Sequence, residues 1–320
     1  MRRSPAVFVL LIGMIGGALA IIPRVGFPMR ALVPPGGALA GAQDGLAIDG
    51  SRSDVGDTAG PHRGDCGTVD RGGAALGGRA VSRGHLPARR DGLDVEMGSF
   101  QTSALAAQGY VVVTLNQPGA VAAARLPLGW GRGLAPQTSI VPCFAADVGL
   151  VPDRLAQINA DPAEVLHGLL DLDRVGVMGL SLGAIVTAQA CASDLRIGAC
   201  LMMDAPVPSA VASVGLRQPA LWISRPPADQ RLERAASGGW PEAETAAQSG
   251  TTAEALSHSP QGQQVLLERL FHVDFTDLPA IQPILGWPGQ SGPVGTVRAH
   301  RQINRLTLVF FDHALGPGRR

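Results

Sequence analysis

Residues 174–191 read Arg-Val-Gly-Val-Met-Gly-Leu-Ser-Leu-Gly-Ala-Ile-Val-Thr-Ala-Gln-Ala-Cys. The apolar start of this stretch predicts a buried strand, and its part from Ala184 onward predicts a helix. Between them lies Gly-x-Ser-x-Gly, centred on Ser181. In a strand-turn-helix context this motif indicates a nucleophile elbow, a tight turn that exposes the serine hydroxyl. The simpler interpretation is a glycine-rich turn with an incidental serine, and the flanking strand and helix favour the elbow.

The elbow also predicts a hydrogen-bond donor for a developing oxyanion. Gly179 and Gly183 let the strand and the helix approach each other without a Cβ clash. The backbone N–H of Leu182 would then lie at the helix N-terminus, where N–H groups have no partner within the helix. A serine hydroxyl is a weak nucleophile, so Ser181 also needs a base and a carboxylate that orients the base.

The base is sought after Ser181, because proteins built on this elbow place serine, acid and histidine in that chain order. The histidines that follow are His258, His272, His300 and His313. His272 is the predicted base, since it lies on a loop just after the apolar run 265–271. His258 lies in a polar Ser/Pro-rich stretch, and the last two fall in a predicted C-terminal helix.

Two aspartates are candidates for the orienting acid. Asp204 ends the strand that follows the elbow helix, and Asp229 follows the next strand, which is the commoner place. Both remain open on these grounds. Asp274 and Asp277 lie close to His272 in sequence and are predicted to cap loops.

Strands alternate with helices through the second half of the chain. The predicted strands are 109–115, 173–178, 197–203, 219–224 and 265–271, and the predicted helices are 100–108, 145–158, 184–192 and 296–315. Residues 226–263 would form a cap or a long excursion. This alternation predicts an α/β fold with a mostly parallel central sheet flanked by helices.

The N-terminal third divides into two segments ahead of a catalytic domain at 99–320. Residues 1–22 combine a basic head with an uncharged apolar run and an A-x-A sequence at Ala18–Ala20, which predicts a signal peptide or a membrane anchor. Either one predicts an extracytoplasmic protein, secreted or held at a membrane through its N-terminus. Residues 23–98 are atypical: positions 34–96 contain no Phe, Trp or Tyr and no periodic pattern, as in a loosely packed linker or an out-of-frame segment.

Composition excludes several functional classes. The formal net charge is zero and aromatic residues make up 4%, which gives no basis for nucleic-acid binding. The four cysteines show no metal-binding spacing, and no cofactor or metal is expected. Cys191 and Cys200 lie in apolar segments and are predicted to be small buried side chains, without a disulfide framework.

Three motifs in order resemble one family. Gly179-Leu-Ser-Leu-Gly183, Leu201-Met-Met-Asp-Ala-Pro206 and His272-Val-Asp-Phe-Thr-Asp-Leu278 are similar to motifs of the platelet-activating factor acetylhydrolase family, close to bacterial lipases and dienelactone-hydrolase-like esterases. The ending Phe310-Phe-Asp-His-Ala-Leu315 also resembles the closing helix of that family. The resemblance covers roughly 100–315 and implies an α/β-hydrolase fold.

The resemblance implies roles for three residues: Ser181 as nucleophile, His272 as base, and Asp204 rather than Asp229 as the orienting acid. It implies hydrolysis of carboxylic esters, such as short-acyl lipids or phospholipids, without a metal. Two departures stand out. Leu180 replaces the usual His or Phe, and the loop that supplies a second oxyanion donor would fall before Phe100, where no such motif is found. The alternative is therefore a non-catalytic or degenerate protein of the same fold.

Overall fold

In the part of the chain that the structure describes, seven parallel strands form the central sheet. The computed structural model describes residues 6–13, 47–49, 98–116, 135–237, 240–281 and 291–316. The strands in this part of the chain are β1 (Ala6–Gly13), β2 (Ala47–Asp49), β3 (Val111–Asn116), β4 (Asp171–Ser181), β5 (Ile197–Met203), β6 (Ala220–Ser224) and β7 (Gly262–Leu266). They are ordered β2-β3-β1-β4-β5-β6-β7 in one sheet, and every neighbouring pair is parallel.

Helices connect most of these strands. They are α1 (Ser99–Ala107), α2 (Ala135–Ala160), α3 (Leu182–Ser193), α4 (Ser209–Ala212), α5 (Pro227–Ser237), α6 (Glu242–His258), α7 (Leu278–Ile281) and α8 (Thr296–Leu315), with a short 3₁₀ helix at His272–Phe275. Because parallel strands need crossover connections, a parallel sheet is normally covered by helices on both faces. The predicted α/β fold, a parallel sheet flanked by helices, is confirmed.

Two apolar cores lie against the sheet, and β4 contributes to both. Val175 and Val177 belong to a cluster that includes Leu155 of α2 and Val186 of α3. Met178 belongs to a second cluster that includes Leu105 of α1 and Ile303 of α8, as does Leu180. Successive side chains of a strand point to opposite faces, so the unbroken apolar run of β4 is that of a strand buried on both sides.

Most predicted elements lie within a few residues of the observed ones. The prediction of a strand over 265–271 is wrong in position, because β7 ends at Leu266. Beyond it the chain turns at Arg269, which has a φ of 65°, and the Arg269 N–H donates to Asp229 Oδ2. Leu270 is nevertheless fully buried. The apolar pattern of this run therefore reflects burial in a loop and not a strand.

Two parts of the N-terminal segment are strands of the central sheet, which the sequence did not predict. Ala6–Gly13, within the apolar run predicted as a signal peptide or anchor, pairs with β3 on one side and β4 on the other. Ala47–Asp49, within the atypical segment, pairs with β3 at the edge of the sheet. In the described part of the chain, no helix is long and apolar enough to span a bilayer.

One disulfide corrects the expectation for the cysteines. Cys191 at the end of α3 is bonded to Cys200 in β5, and both are fully buried. The prediction of small buried side chains was right about their burial and wrong about their state. The bond joins helix α3 to the strand that follows it, between cysteines nine residues apart in sequence. The sequence has no Cys-rich pattern from which it could be predicted.

Candidate active site

Ser181 occupies a strained turn between β4 and α3. Its φ of 57° and ψ of −121° lie outside the regions that residues with a side chain favour. The strand and helix meet so closely here that a Cβ on Gly179 would lie 2.7 Å from Thr187 Oγ1, and closer still to the carbonyl of Gly183. Gly179 is therefore required by the turn. The geometry is that of the predicted elbow.

Two backbone segments converge on this serine. Leu182 is the first residue of α3, so its N–H belongs to the turn whose donors have no acceptor within the helix. Gly13, the last residue of β1, is the register partner of Ser181. β1 therefore ends beside the elbow. An early strand thus reaches the end of the sheet where Ser181 lies, and it is formed by residues 6–13, which were predicted to be a signal peptide or anchor.

Asp204 and His272 lie at the same end of the sheet and contact each other. Met203 pairs with Leu180, so Asp204 follows β5 at the level of Ser181, the last residue of β4. The Nδ1 atom of His272, at the start of the 3₁₀ helix, lies 2.6 Å from Asp204 Oδ2. Both residues are buried. The structure thus brings the predicted acid and base together.

The protonation state of this pair follows from the charge on Asp204. Burial raises the pKa of Asp204, but the Arg225 charge and the His272 hydrogen bond outweigh burial and leave it at about 2. An ionised carboxylate only accepts hydrogen bonds, so the proton of the neutral imidazole must lie on Nδ1. His272 Nε2 is then the basic nitrogen, with its lone pair available to a substrate or a hydroxyl.

The hydroxyl and the basic nitrogen are both unpaired within the described part of the chain. Among the described residues, neither Ser181 Oγ nor His272 Nε2 has a hydrogen-bond partner, although both atoms are buried. Buried polar atoms without partners are rare and point to a role other than stability. These are the two atoms that a proton transfer from serine to histidine would join. The structure thus shows the His–Asp contact and does not show a Ser–His hydrogen bond.

A buried network of charged side chains holds Asp204. Arg225 follows β6 and donates from Nε to Asp204 Oδ2 at 2.7 Å. Its Nη1 donates to Glu233 Oε2 of α5 at 2.5 Å. The other oxygen of Glu233 accepts the backbone N–H of His272 at 3.1 Å. Gln248 of α6 donates to Asp204 Oδ1 at 3.3 Å. Besides His272, the acid therefore has two direct side-chain partners among the described residues, Arg225 and Gln248, and Glu233 is linked to it through Arg225.

The base is covered on one side by an aromatic ring. Trp240, just before α6, lies with its ring centroid 5.4 Å from that of His272, at an interplanar angle of 52°. The Trp240 carbonyl accepts a hydrogen bond from Arg234 at 2.7 Å. The excursion predicted at 226–263 therefore contributes α5, α6 and this ring to the surroundings of the site.

The other aspartates considered from the sequence have structural contacts. Asp229 accepts from the Arg269 N–H at 2.6 Å. Asp274 accepts from the N–H groups of Phe271 and Gly292, at 2.7 and 2.8 Å, and burial raises its pKa. Asp277 accepts from the Ser99 and Phe100 N–H groups at the start of α1. Asp274 thus caps a loop, as predicted, whereas Asp277, also predicted to cap a loop, caps the start of helix α1.

The remaining histidines also lie elsewhere. His258 contacts the Ala212 carbonyl through Nδ1 at 3.1 Å. His300 stacks on Phe100 with centroids 3.8 Å apart, and its Nε2 contacts the Thr276 carbonyl. His313 lies in α8, as predicted. Within the part of the chain that the structure describes, no group of His, Cys, Asp and Glu side chains is arranged to hold a metal ion.

Sequence reasoning missed Arg225, Glu233, Gln248 and Trp240. Only Arg225 carried a signal, because an arginine directly after the buried strand β6 needs a partner. Glu233 lies in the polar, amphipathic helix α5, where nothing distinguishes its carboxylate from those that face solvent. Their contacts with the site could be identified only from the tertiary structure, which places α5 and α6 close to Asp204 and His272.

No protein-family model matches the sequence, and a search of curated proteins finds no match. Among solved structures, a ferulic acid esterase from Streptomyces cinnamoneus is similar, with 24% sequence identity and a TM-score of 0.49. The matched part covers 70% of this chain and 66% of that one, so the chain spans about two thirds of the length of this esterase. A similarity of this degree carries no conclusion about the reaction.

Proposed function

We propose that the protein is a serine hydrolase that cleaves carboxylic esters through Ser181, His272 and Asp204. The observation that carries the proposal is the 2.6 Å contact between His272 and Asp204 at the level of the strained elbow serine. A serine at positive φ, a helix N-terminus directly after it, and a histidine whose Nδ1 is held by a buried carboxylate are features that acyl transfer uses.

In the first half of the reaction, Ser181 Oγ attacks the ester carbonyl carbon and its proton passes to His272 Nε2. Asp204 stabilises the imidazolium through Nδ1. The Leu182 N–H, at the start of α3, donates to the oxyanion. Collapse of the tetrahedral intermediate breaks the bond to the leaving group, which takes the Nε2 proton and departs as an alcohol.

In the second half, water attacks the acyl group on Ser181 and gives a proton to His272 Nε2. Collapse of the second tetrahedral intermediate releases the carboxylic acid, and the proton returns to Ser181 Oγ. No metal takes part in this scheme. For the substrate class we propose small-molecule esters with short acyl chains, including lipid or phospholipid esters, on the basis of the resemblance to platelet-activating factor acetylhydrolases and related lipases.

One observation favours a second candidate, a non-catalytic protein of the same fold. Ser181 is completely buried and makes no hydrogen bond to His272 within the described residues. In an enzyme these two atoms often come together only when substrate binds. In a binding or degenerate protein they would stay apart. A fluorophosphonate probe separates the candidates, because it labels Ser181 only if the hydroxyl is accessible and activated.

Hydrolysis of p-nitrophenyl acetate and p-nitrophenyl butyrate tests the enzyme proposal. Ser181→Ala should reduce turnover to the rate without enzyme. Ser193→Ala is the matched control: Ser193 ends the same helix, α3, and its exposed hydroxyl donates only to Gln189 within the described structure. It should keep wild-type activity. Turnover that survives in folded Ser181→Ala protein would reject the assignment.

We also propose that the protein works outside the cytoplasm, in an oxidising compartment. The buried disulfide between Cys191 and Cys200 supports this, because such bonds persist mainly in secreted, periplasmic or surface proteins. The sequence predicts either a secreted protein or one held at a membrane by its N-terminus, and both remain predictions. Fractionation of the producing cells, followed by immunodetection of the chain, would decide between these locations.

A further inference from the structure

We propose that Glu233, acting through Arg225, is a positioning residue that gives the buried group around Asp204 and His272 a net negative charge and thereby sets the pH range in which His272 acts as a base. This inference rests on the proposed function, because it concerns the same site. It names two side chains that the triad itself does not include and that sequence motifs did not reveal.

The first step is that Arg225 alone would oppose catalysis. Arg225 Nε and His272 Nδ1 both bond to the same oxygen, Asp204 Oδ2, at 2.7 and 2.6 Å. A guanidinium on that oxygen stabilises the carboxylate, but it also cancels the negative charge that an imidazolium needs. The side chain of Arg225 is 1% exposed, so water does little to screen its charge.

The second step is that Glu233 offsets this positive charge. Its Oε2 lies 2.5 Å from Arg225 Nη1, and its side chain is 9% exposed. With Asp204 and Glu233 negative and Arg225 positive, the group carries one net negative charge when His272 is neutral. The group becomes neutral when the imidazolium forms. Without the charge of Glu233, imidazolium formation would leave a buried net positive charge instead, which is unfavourable.

The third step is that Glu233 also holds the base in place. Its Oε1 accepts the His272 backbone N–H at 3.1 Å, so one carboxylate binds both the arginine behind the acid and the main chain of the base. Glutamine at this position has a single acceptor oxygen and keeps only one of these two bonds. The carboxylate is therefore the group that fits both contacts.

The other groups that face His272 do not supply the missing charge. Asp204 from β5 and Arg225 from β6 are already included, Gln248 of α6 and Trp240 are neutral, and Asp274 lies in the same 3₁₀ helix. Burial and the nearby Glu233 raise the pKa of Asp274, so this carboxyl holds its proton more readily. Glu233 is thus the negative charge paired with Arg225.

The test compares Glu233→Gln, Arg225→Met and the double variant. Glu233→Gln should move the acid limb of the kcat/KM profile to lower pH by about one unit, the scale of a single neighbouring charge. Arg225→Met should move it to higher pH. The double variant removes both charges and should return to within about 0.3 pH unit of wild type. Glu254→Gln, an exposed carboxylate of α6, is the control and should shift nothing.

A second readout separates this inference from the proposed function. The same variants in a Ser181→Ala background are titrated by NMR, following the His272 ring signals, assigned by their loss in His272→Gln. If the midpoints move in opposite directions and the double variant reverts, the inference holds, even if no ester is cleaved. If folded Glu233→Gln protein titrates at the wild-type midpoint, the inference is overturned, even if the protein is an active esterase. Should Arg225→Met fail to fold, Glu233→Gln and the double variant still decide.

Discussion

Replacing Gly179 by alanine should disable the site through one added methyl group. The new Cβ would lie 2.7 Å from Thr187 Oγ1 and closer to the Gly183 carbonyl, whereas carbon atoms make favourable contact at about 3.5 Å or more. Thr187 lies in α3, and it can rotate away. The Gly183 carbonyl is main chain, so the start of α3 must move away from β4, and Ser181 and Leu182 must move with it.

The size of the effect follows from that displacement. Overpacking of a close contact costs about 1–3 kcal/mol, which lowers the Tm of a domain of this size by about 2–12 °C. A catalytic group misplaced by about 1 Å loses about 10²-fold in rate. Gly179→Ala should therefore remain folded near room temperature and lose about 100-fold or more in kcat/KM for p-nitrophenyl acetate.

The control for this variant is the same substitution in the neighbouring helix α6. A Cβ on Gly250 meets no atom within 4 Å, and Gly250 lies inside the helix. Alanine there should stabilise the protein by about 0.5–1 kcal/mol and leave activity unchanged. The assay is kcat/KM beside a thermal melt for both variants. Gly179→Ala with activity within about threefold of wild type and an unchanged Tm would refute the elbow geometry.

Three further predictions concern the sheet, the acid and the disulfide. Deleting residues 1–22 removes β1 from between β3 and β4, so the product should lack cooperative thermal unfolding by circular dichroism. The pKa of Asp204 is lowered to about 2, so the ionised carboxylate stabilises the fold fully above about pH 4 and this stabilisation is lost between about pH 4 and pH 2. In urea denaturation at a series of pH values, Asp204→Asn should not show this loss of stability. A Cys191→Ala, Cys200→Ala double variant should lose about 2–3 kcal/mol in urea denaturation, because the bond closes a loop of about ten residues.

Much of the fold followed from the apolar pattern alone. The strand at Ile197–Met203 and the helix at Thr296–Leu315 were predicted to the residue, since the first is a short apolar run that ends at Asp204 and the second ends just before Gly316 and Pro317. The pattern failed at 265–271, where Leu270 and Phe271 are buried in a loop. It also did not predict β1, whose apolar run is equally suited to a membrane, a signal peptide or a central strand. Periodicity reports burial and cannot by itself report what the segment is buried against.

The site, like the fold, contains residues that the sequence could predict and residues that it could not. Ser181 could be placed because the elbow is local, and the resemblance favoured Asp204, which the structure finds in contact with His272. The alternative acid, Asp229, follows the commoner strand but is bonded to the Arg269 N–H. Arg225 and Glu233 could not be predicted as a pair, since their function depends on a tertiary contact that carries no motif.

In one molecule, residues 6–13 cannot be both strand β1 and part of a cleaved leader. As β1, this segment pairs on both sides and ends at Gly13 beside Ser181, so cleavage at Ala18–Ala20 would remove a central strand along with the leader. A parallel sheet that loses a central strand loses two ladders of hydrogen bonds and leaves two inner edges unpaired. Intact-mass measurement of the protein purified from its producing cells therefore tests the fold as well as the leader. A folded, active product that begins after Ala20 would contradict the place of β1, whereas an active product that keeps residues 6–13 would contradict cleavage.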